Sequence, residues 1–464
     1  MIKNIFRVLF SNLGITAIGL ISSLIFPKIM EVSEYALYQT YVLYLSYITI
    51  LHLGLPTGMF IKYGGRKFDE IDIGKYKGEM RLLIFILSLF SIMTVVAGMF
   101  TSKIIIVLVG ISILPYDYVK SYLTLLQAWG DFKRYSIFNV FAPAAICLIA
   151  SSVYLLTGNI SGLCYVYIYI LVYIILFIVL LLDLIKCSYR EKRKEKIITK
   201  DNLDTIKLGL TICIGSYVGS LFHSVDKQYI KVFFNDLQFA MYSFAMSMQT
   251  IMTVLITSLS QPMYFKLAAS GMSKRDYRDM KELLFVFGSL SSCAYYACSI
   301  MVNDFIPKYI ESIKVIAVFF AIFPAMAVIN CLYINLYKSR KLTVKYVRSL
   351  IIMLIIAILL DGIVILLKLN YEFLATATVI AYYIWLILGS FDFPELRMTS
   401  KDYLYLGTYF LSYFLIVSHN PFNDYIGFFA GLISCTFLGF IFYKSSILRI
   451  LKPCLSAIRN NKFY

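Results

Sequence analysis

Apolar residues in this chain come in unbroken blocks of about twenty, and this block length constrains the fold more than any other feature. A helix of about 20 apolar residues crosses the ~30 Å hydrocarbon layer of a bilayer. Clear examples are the blocks 104–126, 137–156, 163–182, 347–367 and 373–390. A soluble domain of 464 residues would not contain so many of them. The sequence therefore predicts an all-α polytopic membrane protein.

Fourteen membrane spans can be placed along the chain, and the basic residues between them indicate an orientation. The spans are 5–27, 35–61, 81–101, 104–128, 136–157, 162–184, 205–225, 238–265, 282–302, 313–337, 346–368, 371–391, 403–419 and 423–443. Of the 43 Lys and Arg residues, 35 fall in the termini and alternate connections and 7 in the opposite connections. Because Lys and Arg concentrate on the cytoplasmic side of a membrane, we expect both termini in the cytoplasm.

The two halves of the chain are related by an internal repeat. A shift of 204 residues places 34–62 on 238–266 without a gap, with seven identities in 29 positions. Six spans separate the copies, and an even number gives a parallel repeat about an axis along the membrane normal. We therefore expect two six-helix lobes around a central cavity, a transporter architecture. The expected parts are an N-terminal lobe 1–185, a basic cytoplasmic linker 186–204, a C-terminal lobe 205–400, and two extra helices with a cytoplasmic tail, 401–464.

The fourth span, 104–128, has a polar stripe at lipid depth. Its residues Asp117, Lys120, Thr124 and Gln127 are three, four and three positions apart, which places them on one face of a helix. Charged side chains are costly in a bilayer, so polar residues at this depth usually face protein or water. Two interpretations remain open: an internal Asp117–Lys120 pair that neutralises itself, or a pair that lines a cavity.

A second stripe runs along the seventh span and past its end. It contains Ser216, Ser220, His223 and Lys227, spaced by four, three and four residues. Asp226 adjoins Lys227 near the outer surface, and this pair is more typical of an interfacial anchor than of a binding site. His223 could titrate near neutral pH, although a lone histidine is more often a hydrogen-bonded structural residue.

Other polar and small residues inside the spans allow two interpretations, structural or functional. His52 in span 2 and Asp361 in span 11 are isolated. For the hydroxyl stripe of span 8, interhelical hydrogen bonding and a wet lumen are both open; it consists of Ser243, Ser247, Thr250, Thr253, Thr257 and Ser260. GxxxG spacings predict tight helix packing, and they occur at Gly54/Gly58, Gly215/Gly219 and Gly427/Gly431.

Several function classes are excluded by the sequence. The net charge of +17 could suggest binding to nucleic acid. The basic residues, however, lie between the apolar blocks, where they indicate the orientation of the chain in a membrane. The nine Cys lack metal-ligand spacing and are expected to be small core residues, so no metal site is predicted. No Walker A sequence or hydrolase motif is found, and the outer connections are too short to build an enzyme active site. We expect a non-enzymatic protein without a cofactor, whose coupling ion, H⁺ or Na⁺ if any, is left open.

Three segments resemble the polysaccharide-transporter branch of the multidrug/oligosaccharidyl-lipid/polysaccharide (MOP) exporter superfamily. The first is FPKIMEVSEYALY at 26–38, followed by LGLPTG at 53–58. The second is QAWGDFK at 127–133, and the third is SVDK at 224–227 followed by FAMYSFA at 239–245. With the size and the span count, the resemblance covers most of the chain. The most similar type is the Wzx flippase for O-antigen or capsule repeat units.

The resemblance implies a function in the bacterial inner membrane. A protein of this type would move an undecaprenyl-diphosphate-linked oligosaccharide from the cytoplasmic to the periplasmic leaflet by alternating access of a V-shaped, two-lobe fold. A polysaccharide polymerase and a chain-length regulator would be its protein partners, and nucleic acid would not be a partner. The resemblance supplies no universal site motif, so the candidate substrate-binding residues come from the stripes and from nearby cations.

For diphosphate attraction in the inward-facing state we single out Arg7, Lys62 and Lys120, with Lys227 for outward release, because a cation in a low-dielectric site attracts phosphate strongly. The remaining cavity candidates are His52, Asp117, Thr124, Gln127, Ser216, Ser220 and His223. The alternatives are an ion-coupled drug or metabolite antiporter of the same fold, a flippase for another lipid-linked glycan such as the peptidoglycan precursor, and a non-transport scaffold.

Overall fold

The computed structural model describes residues 2–190, 199–268, 272–418 and 423–459. Within these ranges the side chains of residues 2–10, 186–190, 261, 265, 268 and 450–459 are outside the description. The described residues form helices joined by turns, and they contain no strand. The predicted all-α class is therefore confirmed.

The chain forms two compact units. Unit 1 comprises Met1–Lys231 with Asn235–Ala240, and unit 2 comprises Val232–Phe234 with Met241–Tyr464. This division falls later than the predicted linker 186–204, because the helix that follows the linker packs closely on unit 1. The lobe boundaries at 185 and 205 stay a prediction.

Unit 1 is built from helices whose starts are set by local capping. Asp72, Asp131 and Thr199 each accept a hydrogen bond from the backbone N–H three residues later, which satisfies a donor at the helix N-terminus. The helices are α1 (Ile2–Ile29), α2 (Val32–Tyr47), α3 (Leu55–Tyr63), α4 (Ile73–Phe100), α5 (Ile104–Ala128), α6 (Phe132–Thr157), α7 (Gly162–Arg190), α8 (Lys200–Phe222) and α9 (Val225–Phe233).

Unit 2 contains the remaining helices, the first of which begins in unit 1. They are α10 (Asp236–Ala268), α11 (Lys274–Ser292), α12 (Ala294–Phe305), α13 (Ser312–Phe320), α14 (Phe323–Val328), α15 (Ile334–Ser339), α16 (Thr343–Leu366), α17 (Glu372–Asp392), α18 (Ser400–Ser418) and α19 (Asp424–Arg459). A π-helical turn, Ile329–Tyr333, joins α14 to α15.

Eleven helices of the described chain are long and apolar enough to cross a membrane, or 13 if each of two bent pairs is one span. These correspond to thirteen of the predicted spans, and the protein is a multi-pass membrane protein. The remaining predicted span, 403–419, is helix α18, which is not among them because Lys401, Asp402 and four tyrosines lower its hydropathy.

The predicted second span, 35–61, is broken into α2 and α3, which meet at 56°. The break occurs where Leu53 and Gly54 adopt positive φ angles of 52° and 76°. Pro56 then lies in the first turn of α3, where its missing N–H is harmless. The break leaves His52 in a turn between two helices rather than inside one straight helix.

Helix α3 is held tightly against α8 by glycine. A Cβ atom at Gly58 would lie 1.9 Å from the carbonyl oxygen of Thr205, and one at Gly209 would lie 2.1 Å from the carbonyl oxygen of Gly54. Real Cβ atoms do not approach this closely, so only glycine allows the two backbones to touch. The tight packing predicted for Gly54/Gly58 is confirmed, and its partner is Gly209 on α8.

In unit 2 the last two helices are joined to the core by polar side chains. Three tyrosines of α18, four residues apart, donate hydrogen bonds to α11 and α13: Tyr405 to Ser289 Oγ at 2.8 Å, Tyr409 to Ser292 Oγ at 2.6 Å, and Tyr413 to the Ala317 carbonyl at 2.8 Å. Each bond satisfies a hydroxyl that has no water to bind. Helices α18 and α19 are thus integral to unit 2, and any role in guiding a lipid tail stays a proposal.

An ion pair is fully buried near the three tyrosine hydrogen bonds of α18. The Lys281 ammonium lies 2.7 Å from Asp402 Oδ2, and both side chains are 1% exposed. Asp402 also accepts hydrogen bonds from the Tyr443 hydroxyl at 2.9 Å and from the backbone and hydroxyl of Thr399. The pair therefore connects α11, α18 and α19 within one network.

Candidate functional site

The polar stripe of α5 is divided between the interior and an accessible face. Asp117 is 1% exposed, and its Oδ2 has no hydrogen-bond partner among the described residues. Lys120 is exposed, and in the described part of the chain no carboxylate lies within 4 Å of its ammonium. The internal Asp117–Lys120 ion pair, one of the two interpretations left open, is therefore not formed in this structure.

The ammonium of Lys120 lies over an aromatic face instead. Its Nζ is 5.7 Å from the ring centroid of Tyr116. The Tyr116 ring in turn packs against Tyr173 at 4.9 Å and Tyr169 at 6.2 Å. A cation over an aromatic ring gains about 0.5–1 kcal/mol at exposed sites, which orients Lys120 without neutralising it. This tyrosine cluster is not among the residues predicted from the sequence, although Tyr165, Tyr169 and Tyr173 stand four residues apart.

Thr124 and Gln127 continue the stripe toward the end of α5 with internal hydrogen bonds. The Thr124 hydroxyl donates to the Lys120 carbonyl oxygen at 3.1 Å, one helical turn back. The Gln127 side chain hydrogen-bonds with Tyr135 on α6. Both residues are half-buried, so they can present polar atoms without a cost of burial.

Lys62 is engaged in a cluster that joins α3, α4 and α8. Its ammonium lies 2.8 Å from Glu79 Oε1 and 2.8 Å from Asp201 Oδ2. Glu79 is fully buried and also accepts hydrogen bonds from the Tyr63 hydroxyl at 2.6 Å and the Thr205 hydroxyl at 2.8 Å. Two carboxylates therefore already neutralise Lys62, and diphosphate would have to displace one of them.

His52 has a structural contact at the break between α2 and α3. Its Nδ1 accepts a hydrogen bond from the backbone N–H of Gly54 at 3.0 Å, and the thiol of Cys213 lies 4.0 Å away. An accepting ring nitrogen carries no proton, so the imidazole is neutral while this bond exists. His52 thus caps an orphan donor of the broken helix.

The stripe of α8 contains both accessible hydroxyls and a terminal histidine. Ser216 and Ser220 are exposed, and the Ser220 hydroxyl donates to the Ser216 carbonyl oxygen at 3.2 Å. His223 follows the last residue of α8 and packs edge-on against Phe222 at 5.5 Å. The two serine hydroxyls are therefore accessible to a ligand.

Lys227 on α9 is buried within unit 1. Its ammonium donates to Gln39 Oε1 at 2.8 Å, and Gln39 donates onward to the Tyr35 hydroxyl at 2.7 Å. Helix α9 lies outside the candidate membrane spans. Burial lowers the pKa of Lys227 to about 8, while the neighbouring Asp226 opposes this shift. The interfacial anchor that the sequence favours stays a prediction, and the lysine is buried rather than solvated.

Arg7 belongs to a segment whose side chains are outside the described residues, so its role stays a prediction. In the hydroxyl stripe of α10, Ser260 donates to the Asn330 carbonyl at 2.9 Å and accepts from Asn335 at 2.9 Å. Interhelical hydrogen bonding therefore occurs at this end of the stripe. Within the described chain, no group of three or more His, Cys, Asp or Glu residues could hold a metal ion.

Comparison with known proteins gives a fold but no sequence relative. No protein-family model and no curated protein sequence matches the chain. The solved structure of the lipid II flippase MurJ, in an inward closed conformation, is similar with a TM-score of 0.67 and 17% identity. The similarity covers 96% of this chain and 100% of that chain.

Two MATE transporter structures are also similar, at lower scores. One, in complex with Br-NRF, has a TM-score of 0.43 and 13% identity over 84% of this chain and 92% of that chain. The other is an inward-facing multidrug resistance MATE family transporter of the MOP superfamily. It has a TM-score of 0.38 and 13% identity, and the similarity covers 98% of this chain and 96% of that chain. We conclude that this chain has the helical fold seen in the structure of the lipid II flippase MurJ.

Proposed function

We propose that this protein is a flippase for an undecaprenyl-diphosphate-linked oligosaccharide, moving it from the cytoplasmic to the periplasmic leaflet of the bacterial inner membrane. The fold match to a flippase for a lipid-linked glycan precursor supports a transporter of this kind. The observation that carries the proposal is Lys120, an exposed cation on an apolar helix with no ion-pair partner among the described side chains.

A cation in this position has a simple use. Its desolvation is costly, and an anionic ligand would offset that cost when bound. The two phosphates of a prenyl-diphosphate head group supply such an anion, and the adjacent tyrosine and threonine hydroxyls are suited to sugar hydroxyls. Binding at one lysine is weak enough to allow release, which transport requires. Rocking of two lobes around the head group, with the prenyl tail in lipid, completes the proposed mechanism.

Asp117 favours a second candidate, an ion-coupled antiporter. A buried carboxylate with an unpartnered oxygen can bind a proton or a small cation. The same residue could also couple ion flow to flipping, so it distinguishes the two functions less well than the substrate does. O-antigen or capsule repeat units, and interaction with a polymerase and a chain-length regulator, belong to the first candidate only.

The deciding experiment is a gene deletion followed by extraction of lipid-linked sugars. The flippase proposal expects lipid-linked oligosaccharide to accumulate on the cytoplasmic side, surface polysaccharide to disappear, and drug resistance to stay unchanged. Unchanged lipid-linked pools together with new drug sensitivity would favour the antiporter.

Complementation of the deletion with variants tests the residue. We expect Lys120→Ala to lose export while the protein still inserts, and Lys120→Arg to retain part of it because the charge remains. Lys103→Ala is the matched control, because Lys103 is an exposed lysine at the other end of the same helix. Normal export by Lys120→Ala would remove this lysine from the mechanism.

A further inference from the structure

A cavity of about 680 Å³ lies within unit 1, where the turn between α5 and α6 approaches the connection between α3 and α4. Small-ligand pockets usually measure about 300–1,000 Å³, so this one is large enough for one or two sugar rings. Its wall includes Trp129 and Asp131 from the first turn and Phe68 and Asp69 from the second connection. Both connections belong to the basic set that the sequence places in the cytoplasm.

The wall has an aromatic part built around Trp129. The centroid of its ring lies 4.9 Å from Phe68, 5.4 Å from Tyr76 and 6.2 Å from Tyr122, each in an edge-to-face arrangement. These contacts fix the indole plane. The indole nitrogen is buried and has no hydrogen-bond acceptor among the described residues. Because this nitrogen is buried, the indole offers its ring rather than its N–H to a ligand in the cavity.

The wall also has a charged part, which is acidic on balance. Three carboxylates line the cavity, those of Asp69, Asp131 and Asp183, against the two cations Lys67 and Arg134. Asp183 Oδ2 accepts from the Tyr122 hydroxyl at 3.3 Å and from Arg134 Nη1 at 3.5 Å. Both bonds are long and leave acceptor capacity on the carboxylate.

These features together indicate the class of ligand. A net negative wall disfavours phosphate, and the fixed aromatic rings disfavour a bare cation. A sugar ring offers apolar C–H faces to the aromatic part and hydroxyls that donate to carboxylates and accept from Arg134. The observations therefore favour a neutral polyhydroxylated ring.

We propose that this cavity is a sugar-binding subsite that receives part of the glycan before translocation. The proposal deepens the proposed function and rests on it for the identity of the glycan. The subsite is distinct from Lys120, which would act on the diphosphate. Its cytoplasmic placement would let it hold the head group on the side where a lipid-linked glycan is made.

The two tryptophans of the chain allow a direct binding test. Trp129 lines the cavity, whereas Trp385 is buried in unit 2. In purified full-length Trp385→Phe protein, Trp129 alone emits, and the Trp129→Phe protein, in which Trp385 alone emits, is the matched blank. The probes are glucose, galactose, rhamnose and N-acetylglucosamine, with sorbitol as an acyclic control and sodium diphosphate as an anion.

We expect at least one cyclic sugar to change Trp129 emission saturably, with no change in the blank or with sorbitol. Asp183→Asn should raise the apparent Kd for the sugar by about tenfold or more, because a charged hydrogen-bond acceptor is lost. Asp69→Asn, at an exposed position, tests the same wall without touching a packed contact. No saturable response to any sugar, an equal response to diphosphate, or unchanged affinity in both variants would overturn the subsite.

Export separates this proposal from the proposed function. In complemented cells, Asp183→Asn and Asp69→Asn should reduce glycan export if the bound sugar is the transported one. Sugar binding in vitro with normal export in both variants would contradict the link to transport. Lost export in the Lys120→Ala strain without sugar binding at Trp129 would leave the flippase proposal intact and remove the subsite alone.

Discussion

The buried pair Lys281–Asp402 should be a main determinant of the stability of unit 2. In the Lys281→Met variant the Asp402 carboxylate stays 1% exposed but loses the ammonium at 2.7 Å. Removing one partner of a buried ion pair typically costs about 3–5 kcal/mol. Three other donors, from Thr399 and Tyr443, still reach Asp402, so the lower part of this range is expected.

The expected loss converts into a measurable change in melting temperature. For a unit of about 150–250 residues, 1 kcal/mol corresponds to roughly 2–4 °C, so a loss of about 3 kcal/mol should lower Tm by roughly 6–12 °C. Thermal unfolding of the detergent-solubilised protein measures this change. The Lys281→Met/Asp402→Leu double variant should recover part of it, because no unpaired charge remains buried.

A matched control is available in an exposed ion pair. Lys207 lies 3.8 Å from Asp204 on the surface of α8, and exposed pairs contribute about 0–1 kcal/mol, so Lys207→Met should shift Tm by only a few degrees at most. The reasoning fails if Lys281→Met melts no lower than Lys207→Met. It also fails if the Lys281→Met/Asp402→Leu double variant has a Tm no higher than that of Lys281→Met.

Three other expectations follow from the packing, the buried lysine and the basic connections. Gly58→Leu should prevent α3 from packing on α8, since even a Cβ would lie 1.9 Å from a carbonyl oxygen; a sharp fall in folded yield by size exclusion, absent for Gly19→Leu in open space on α1, tests this. The pKa of Lys227 is about 8 in the folded protein and 10.5 in the unfolded chain, so between these pH values the unfolded state binds more protons. The free energy of unfolding should therefore rise by about 3 kcal/mol as the pH increases across this range. Parallel Tm–pH curves for wild type and Lys227→Met would contradict it. Reporter fusions at Lys192 should indicate cytoplasm and at Asn159 periplasm, and the reverse would overturn the two-lobe topology.

Much of the architecture is predictable from the sequence because it depends on how many consecutive residues are apolar. Apolar blocks of about twenty residues specify membrane helices wherever they occur, so thirteen predicted spans correspond to helices or bent pairs of the structure. The GxxxG spacing at Gly54/Gly58 predicts close helix packing, because two small residues one turn apart create a groove on the helix. Neither inference requires knowledge of the partner.

Partners are what only the tertiary structure decides. Helical spacing places Asp117 and Lys120 on nearby faces, yet burial of one and exposure of the other keep them from pairing. The sequence makes Lys62 a candidate for attracting diphosphate, but folding brings Glu79 and Asp201 to it from α4 and α8. The Trp129 cavity combines residues from three separate stretches of the chain, 67–69, 122–134 and 183, so no single motif reveals it. Periodicity along one helix thus determines which side chains share a face, whereas charge neutralisation and cavities depend on distant segments that meet only in the folded protein.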